Sequence, residues 1–240
     1  MKNKTVMITG ASRGIGAETA RRFAAAGYDL VLICKDNTEK MESLAEQLGA
    51  RHQVRVRTFA GHVGDSAFVS QVFSKCEDVD ILINNAGISY VGLLSEMTPE
   101  SWDILIRTNL TGTFLFTKYA IPGMVQKKEG RIINVSSVWG SVGASCEAAY
   151  SATNGAVDAL TKALAKELAP SNIQVNAIAP GCIDTDMNGS LSEEEKQALC
   201  EEIPAGRFGT PKEAAELIFS VANAPAYLTG QIIGLTGGWN

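Results

Sequence analysis

Two hydroxyl side chains, Ser137 and Tyr150, lie thirteen positions apart in the 240-residue chain. Ser137 follows a short apolar run, and Tyr150 lies at the start of a long segment rich in alanine and leucine. A phenol can donate a proton to an oxygen, while a second hydroxyl holds that oxygen as negative charge develops on it. The pair is therefore a candidate acid/base site.

A glycine cluster near the N-terminus is the second chemical signal. Residues 9–16 read T-G-x-x-x-G-x-G, with Gly10, Gly14 and Gly16 separated by Ser12, Arg13 and Ile15. The cluster stands between a strand-like run and a helical pattern. Glycines there allow a tight turn and a close approach of the backbone to a pyrophosphate, which the free N–H groups of the helix N-terminus attract. The pattern predicts a dinucleotide site.

Hydrophobic patterning predicts the elements that hold these residues. Seven apolar runs are typical of buried parallel strands: Thr5–Thr9, Leu30–Ile33, Val54–Phe59, Ile81–Asn84, Ile132–Val135, Val175–Ala179 and Ile232–Leu235. Between them, two segments place apolar residues on one helical face, Met41, Leu44, Ala45 and Leu48 in the first and Ala152, Ala156, Ala159, Leu160, Ala163 and Leu164 in the second. The first marks a buried stripe, and the small residues of the second would also permit close helix–helix approach, within the fold or across a subunit interface. We expect an α/β fold, a single-domain, doubly wound parallel sheet over residues 1–240 with helices on both faces and ligands beyond the carboxyl ends of the strands.

Composition narrows the classes of function. Hydrophobic residues make up 45% of the chain, charged residues 20%, and the net charge is −5, which argues against nucleic-acid binding. No apolar run is long enough to span a membrane. The five cysteines are scattered and odd in number, as in a cytoplasmic protein with reduced thiols, and two histidines give no metal-ligand cluster. Met1–Lys4 passes directly into a strand-like run, without the apolar core of a signal peptide.

Further motifs resemble the short-chain dehydrogenase/reductase family along essentially the whole chain. These are the glycine cluster, Asn84-Asn85-Ala86-Gly87, the Ser137–Tyr150 spacing, and Asn176-Ala177-Ile178-Ala179-Pro180-Gly181 followed by Thr185. The resemblance implies an oxidoreductase in which Tyr150 is the acid/base, Ser137 orients the carbonyl and Asn109 supports a water relay. It also implies cofactor contacts from Asn85, Ala86, Gly87, Tyr150, Asn154, Pro180, Gly181, Ile183 and Thr185.

Asn154 departs from the family pattern, which has lysine four residues after the tyrosine. In the family that lysine holds the nicotinamide ribose and makes the phenolate accessible, whereas asparagine can hydrogen-bond but brings no charge. A cation about 5 Å away at an effective dielectric of ~20 is worth roughly 3 kcal/mol, or about two pKa units. Three explanations stay open: an engineered substitution, a natural slow or repurposed enzyme, and a cofactor-binding protein without catalysis.

The choice of cofactor depends on the end of the second strand. Cys34 stands where an acid would repel a 2′-phosphate, and the cations Lys35 and Arg13 favour NADP(H), although Asp36 can pair with Lys35. At the third strand, His62 replaces the family's usual aspartate before Val63. It could stack on adenine or hydrogen-bond to it.

The substrate is predicted to be a small-molecule or acyl-carrier-bound carbonyl compound. The chain most resembles the 3-oxoacyl-acyl-carrier-protein reductases, through the motifs above and residues 204–209, and this resemblance implies fatty acid biosynthesis and a homotetramer. Lys127, Lys128 and Arg131 could steer an acidic carrier protein or form an ordinary solvated turn. Residues 186–202 read as a substrate lid or an exposed helix. The alternatives are a reductase of a sugar alcohol, steroid or xenobiotic, and a non-catalytic NADP-binding protein.

Overall fold

The computed structural model describes residues 3–76, 78–189 and 191–239, and all its named strands belong to one parallel sheet. The strand order is β3-β2-β1-β4-β5-β6-β7. The strands are β1 (Thr5–Thr9), β2 (Asp29–Cys34), β3 (Val56–Ala60), β4 (Ile81–Asn84), β5 (Gly130–Val135), β6 (Ile173–Pro180) and β7 (Ile232–Leu235). The predicted doubly wound fold is thus confirmed, and the seven predicted strands match the observed ones closely.

The order of the strands reverses at β1, which pairs with β2 on one side and with β4 on the other. After β3 the chain crosses to β4, so that neighbouring connections leave the sheet in opposite directions. A crevice forms at such a switch point, beyond the carboxyl ends of the strands. The glycine cluster follows β1 and Asn85 follows β4, so both lie at this crevice.

Helices cover both faces of the sheet. The α-helices of the described residues are α1 (Gly14–Ala25), α2 (Thr38–His52), α3 (Ser66–Lys75), α4 (Pro99–Ile106), α5 (Gly112–Lys127), α6 (Trp139–Val142), α7 (Ala148–Leu168), α8 (Glu193–Glu202) and α9 (Pro211–Ala222). Alternate side chains of β1 supply two cores, because successive strand residues point to opposite faces. Val6 and Ile8 pack with α1, α2 and α9, while Met7 packs with α3, α5 and α7.

The predicted buried stripe of α2 is confirmed, whereas the small-residue face predicted for α7 does not face the sheet. Contact of that face with another subunit stays a prediction. Met41, Leu44 and Leu48 are buried, with Ala45 packed beside them. In α7, by contrast, Ala152, Ala159 and Ala163 are exposed, and the sheet-facing side consists of Ala149, Thr153, Asn154, Val157, Asp158, Thr161, Ala165 and Leu168. Its buried polar groups bond to neighbouring elements, a possibility that hydrophobic periodicity does not register.

The predicted lid segment contains a 3₁₀ turn at Asp186–Asn188 and helix α8, which Ser192 and Glu195 cap reciprocally. Ser190, within this segment, lies outside the described residues, as do Met1 and Lys2. In the described part of the chain, no helix is long and apolar enough to cross a membrane. A single domain over residues 1–240 stays a prediction.

Candidate active site

A cleft of about 360 Å³ lies beyond the carboxyl ends of the strands. Of the residues predicted for cofactor binding or catalysis, those that line it are Gly10, Ser12, Arg13, Gly14, Ile15, Lys35, His62, Val63, Asn85, Ala86, Gly87, Asn109, Ser137, Tyr150, Asn154, Pro180, Gly181, Ile183 and Thr185. A smaller cavity of about 230 Å³, lined by Asp29, Arg55 and Arg57 among others, lies at the opposite edge of the sheet. The tertiary structure therefore brings the predicted site residues together in one place.

Gly16 is the predicted site residue that does not line the cleft. A Cβ atom there would lie 2.2 Å from the carbonyl oxygen of Gly10 and 2.7 Å from Nδ2 of Asn85. Gly10 and Gly14 have positive φ angles of 66° and 54°, a region that favours glycine. Gly16 thus lets α1 pack against the turn, while Gly10 and Gly14 shape the turn itself.

Thr9 and Asn85 lock the glycine turn to the end of β4. The Oγ1 atom of Thr9 accepts hydrogen bonds from the backbone N–H groups of Asn85 and Ala86, each at 3.0 Å. The Nδ2 atom of Asn85 donates to the carbonyl oxygens of Thr9 and Gly10 at 3.0 and 3.1 Å. Thr9 is not among the predicted site residues, although its position as the first residue of the glycine motif could have indicated this role.

The two cations predicted to meet a 2′-phosphate each lie near a carboxylate. Arg13 is 3.6 Å from Asp186, and Lys35 is 3.5 Å from Asp36. More than half of each side chain is exposed, so water screens both pairs and neither holds its cation firmly. Both cations stand at the cleft and remain able to turn towards an anionic ligand.

His62 is held as a neutral imidazole. Its Nδ1 accepts the N–H of Gly64 at 3.0 Å, and its Nε2 lies 3.4 Å from Oγ1 of Thr108, whose own proton goes to the Ile104 carbonyl oxygen. This pattern places the ring proton on Nε2. Burial lowers the pKa of His62, and the positive charges of Lys35 and Arg107 lower it further. Both ring nitrogens are thus engaged within the protein, and the residue lines the cleft.

Ser137 and Tyr150 approach each other from two elements. Ser137 follows β5 and is buried, whereas Tyr150 lies in the first turn of α7. Burial raises the pKa of Tyr150 above its ordinary value of 10.0, side-chain hydrogen bonding with Ser137 and Asn154 opposes this rise, and the negative charge of Glu147 adds to it. The net direction is upward, so the phenol keeps its proton near neutral pH.

Asn154 is buried beneath Tyr150 and bonds to its backbone. Its Nδ2 donates to the carbonyl oxygen of Tyr150 at 2.9 Å. One turn further along α7, Asp158 is also buried, burial raises its pKa, and its Oδ1 has no hydrogen-bond partner within the described residues. Position 154, where the family pattern has lysine, therefore supplies an amide. Asp158, the next buried polar residue on α7, is an acid and cannot replace the missing cation.

Asn109 lies in a π-helical turn, Arg107–Thr111, between α4 and α5. Its side chain accepts the N–H of Ile88 at 2.9 Å and donates to the Ile88 carbonyl oxygen at 2.9 Å and to Oγ1 of Thr153 at 3.2 Å. Single π-turns inside helices often occur at functional sites. Here the turn fixes Asn109 between the loop after Gly87 and helix α7.

A buried polar ladder beneath the site connects β4 and β5 to their flanking helices. The Nδ2 atom of Asn84 donates to Oγ1 of Thr117 and to Oδ1 of Asn134, at 3.0 and 2.9 Å. Asn134 in turn donates to Oγ1 of Thr161 at 2.8 Å. Since Ser137 follows β5 and Tyr150 lies on α7, the ladder fixes the distance between the elements that carry the two hydroxyls.

The far end of the cleft is formed by the turn after β6. The N–H of Gly181 donates to the carbonyl oxygen of Leu235 at 3.0 Å, and Ile183 bridges to Gly209. The Ile183 carbonyl oxygen accepts Nδ2 of Asn188 at 2.8 Å. The cleft is also lined by residues that the motifs did not indicate, among them Ile88, Ile104 and Thr108. Among the described residues no group of three or more potential ligands could hold a metal ion.

Comparison with known proteins agrees with this geometry. The family model described as short chain dehydrogenase matches residues 4–196, so the chain belongs to the short-chain dehydrogenase family. It is 37% identical to the uncharacterised oxidoreductase YmfI of Bacillus subtilis, with 99% of each chain covered. It is 39% identical to the 3-oxoacyl-[acyl-carrier-protein] reductase of Aquifex aeolicus, over 99% of this chain and 98% of that one.

Solved structures give the same assignment. YwfH, an NADPH-dependent reductase involved in bacilysin biosynthesis, superposes with a TM-score of 0.93 at 28% identity, covering 100% of this chain and 99% of that one. The 3-oxoacyl-[acyl-carrier protein] reductase of Brucella melitensis also has a TM-score of 0.93, at 33% identity, over 100% and 92% of the two chains. The protein is therefore an oxidoreductase of the family that the sequence motifs indicated.

Proposed function

We propose that the protein reduces a ketone with NADPH, as a 3-oxoacyl thioester reductase of low intrinsic rate. The observation that carries this proposal is the meeting of Ser137 and Tyr150 at a cleft whose other end is a glycine turn at a helix N-terminus. The cofactor, when bound, supplies a hydride to the carbonyl carbon. Tyr150 gives its proton to the carbonyl oxygen as the C=O bond becomes C–OH, and Ser137 holds that oxygen.

The residues of the cleft fit a dinucleotide. The glycine turn leaves backbone without side chains at the start of α1, where a pyrophosphate can bind. There is no room for a side chain at Gly10, because a Cβ atom there would lie 2.9 Å from Cα of Ala86. Arg13 and Lys35 support the 2′-phosphate form because both stand at the cleft in weak, exposed ion pairs. His62, neutral, adds no negative charge beside them. These features favour NADPH over NADH.

Asn154 lowers the expected rate without dismantling the site. The raised pKa of Tyr150 suits a proton donor, which serves ketone reduction, but the family's cation would make the phenol more acidic. Without the positive charge of that lysine, proton transfer from Tyr150 should be slower by about a hundredfold, which corresponds to roughly 3 kcal/mol. The explanations that remain are an engineered site, a slow or repurposed enzyme, and a binding protein without turnover.

The basic residues before and at the start of β5, which could steer an acidic carrier protein, give little support to an acyl-carrier-bound substrate. Lys127 pairs with Asp80 at 2.6 Å and with the carbonyl oxygen of Val79 at 3.1 Å, while the guanidinium of Arg131 bonds to the Ala224 carbonyl oxygen. These residues lie before or at the start of β5, at the sheet edge opposite the cleft. Within one chain they behave as structural cations, so another thioester or small ketone is the alternative substrate.

A homotetramer follows from the family resemblance. Trp102 on α4 and Phe114 on α5 are 38% and 47% exposed in the isolated chain, which gives an assembly apolar side chains to bury. The lid role of residues 186–202 has support from Asp186, Met187 and Asn188, which line the cleft.

The test is NADPH oxidation with acetoacetyl thioester by the protein and by Asn154→Lys, with NADPH affinity measured in parallel. We expect a gain of about a hundredfold in turnover with similar affinity, because the restored charge makes the Tyr150 proton easier to release. Tyr150→Phe in both backgrounds is the control and should abolish the gain. Equal rates in the protein and in the lysine variant would reject the account in which the missing cation limits the reaction.

A further inference from the structure

Glu147 is an acid three residues before Tyr150. It directly precedes α7, and its carboxylate hydrogen-bonds the side chain of Trp139 on α6. The backbone N–H of Trp139 donates to Oγ of Ser137 at 3.2 Å. The negative charge of Glu147 also acts on Tyr150 and on Cys182, which follows Gly181 after β6. Glu147 is therefore a neighbour of the two hydroxyls, and it is not one of the residues that line the cleft.

Within the described residues, no lysine, arginine or histidine forms an ion pair with Glu147. Although it is the residue before α7, its side chain makes no capping hydrogen bond to that helix. Burial raises its pKa, and the hydrogen bond with Trp139 opposes the rise. A half-buried carboxylate without a cation is unfavourable by itself, and a ligand that brings the opposite charge would relieve it.

The indole that hydrogen-bonds this carboxylate is one of a contacting pair. The rings of Trp139 and Trp239 meet edge to face, with centroids 4.9 Å apart and an angle of 64° between their planes. Both side chains are partly exposed. Tryptophan faces attract cations, most strongly where water is partly excluded. A carboxylate and two indoles are a combination suited to an ammonium group rather than to an alkyl chain or a second carboxylate.

We propose that Glu147, with Trp139 and Trp239, selects carbonyl substrates that carry a protonated amine close to the reacting ketone. This inference rests on the proposed ketone reduction but not on the thioester as the substrate. The amine would pair with Glu147 and lie against an indole face, while Ser137 and Tyr150 hold the carbonyl oxygen.

The arrangement has a consequence for the missing lysine. Burial is the main cause of the raised pKa of Tyr150 and the negative charge of Glu147 adds to it, so an ammonium group bound at Glu147 would cancel that addition. The substrate would thereby supply part of the electrostatic effect that Asn154 cannot give. Cationic ketones should accordingly gain in turnover as well as in affinity.

The experiment compares aminoacetone with its neutral analogue 2-butanone, both with NADPH, at about pH 6.5, below the pKa of about 7.7–8.0 typical of an α-amino group. We expect kcat/KM to favour aminoacetone by about tenfold or more in the unaltered protein. Glu147→Gln should reduce that preference about tenfold, and turnover of 2-butanone should rise rather than fall because the variant removes a negative charge that acts on Tyr150. The matched control, Glu46→Gln, removes the same charge from an exposed position on α2, away from the cleft-lining residues, and should retain the preference.

Equal kcat/KM for the two ketones in the unaltered protein, or a preference that survives Glu147→Gln, would overturn the proposal. If neither ketone is turned over, the proposed reduction fails, and calorimetric binding of the two ligands to the NADPH-loaded protein still decides whether Glu147 binds the amine. If Glu147→Gln does not fold, Trp239→Leu is the second variant. It should lower the preference about threefold, and an unchanged preference would count against the proposal.

Discussion

Tyr150 has two neighbours that favour its ionised form, Ser137 and Asn154, and two influences that oppose it, burial and Glu147. The opposing influences prevail, and the pKa of the phenol lies above 10.0. In the direction of ketone reduction the protonated phenol is the active form, so neutral pH suits it. In the direction of alcohol oxidation the phenolate is the active form, and that form is scarce.

The oxidation rate should therefore depend on pH in a way that reports Tyr150. With NADP⁺ and a 3-hydroxybutyryl thioester, kcat/KM should rise about tenfold per pH unit and continue rising beyond pH 9, because the raised pKa postpones ionisation. In Asn154→Lys, the plateau should begin about two units lower. The measurement is kcat/KM across the alkaline range. A profile that levels off at the same pH in both proteins would show that Asn154 does not control the phenol.

The turn between β1 and α1 depends on close packing that one methyl group would disturb. Gly16→Ala would put a Cβ atom 2.2 Å from the backbone oxygen of Gly10, so the turn must move away from Asn85. We expect a loss of about 2–4 kcal/mol in the free energy of unfolding, and NADPH binding weakened by tenfold or more. Denaturant unfolding and cofactor titration measure the two effects.

Gly49→Ala is the matched control for that substitution. Gly49 lies inside α2, where a Cβ atom would be 3.5 Å from the carbonyl oxygen of Val54, an ordinary contact. Alanine is the better helix former by about 0.8–1.0 kcal/mol, so this variant should be slightly more stable and bind NADPH normally. Similar losses in both variants would contradict the packing argument for Gly16.

Helix α7 shows why one face of an element can be misjudged from sequence. Its alanines at positions 152, 159 and 163 form an apolar stripe, yet the face turned to the sheet carries Thr153, Asn154, Asp158 and Thr161. Thr153 and Thr161 accept hydrogen bonds from Asn109 and Asn134. Because such partners are distant in sequence, only the folded chain shows that burying polar groups on α7 is favourable.

For the folded protein as a whole, cofactor binding should appear as stability. A ligand that binds only the native state stabilises it by about 2.7 kcal/mol at a hundred times its dissociation constant. We expect NADPH to raise Tm more than NADH at equal concentration, because Arg13 and Lys35 can meet the additional phosphate. Thermal unfolding with each cofactor measures the difference.

Lys35→Gln should remove most of the difference between the Tm shifts produced by NADPH and NADH. It should reduce NADPH affinity about tenfold and leave NADH affinity within about twofold. Lys40→Gln, at an exposed position on α2, removes the same charge away from the cleft-lining residues and is the control. A larger Tm shift with NADH than with NADPH in the unaltered protein would reverse the cofactor assignment.

The spacing of hydrophobic residues, the spacing of the glycines and the offset from Ser137 to Tyr150 are local properties of the chain. The family, the positions of the strands and the order of the motifs could therefore be predicted from the amino-acid sequence alone. The tertiary structure decided what these residues meet. It paired Arg13 with Asp186, fixed His62 as a neutral ring, paired Lys127 with Asp80, and brought Trp139 into contact with both Glu147 and Trp239. Such contacts join residues far apart in sequence, so distance, burial and charge at the site exist only once the sheet has formed.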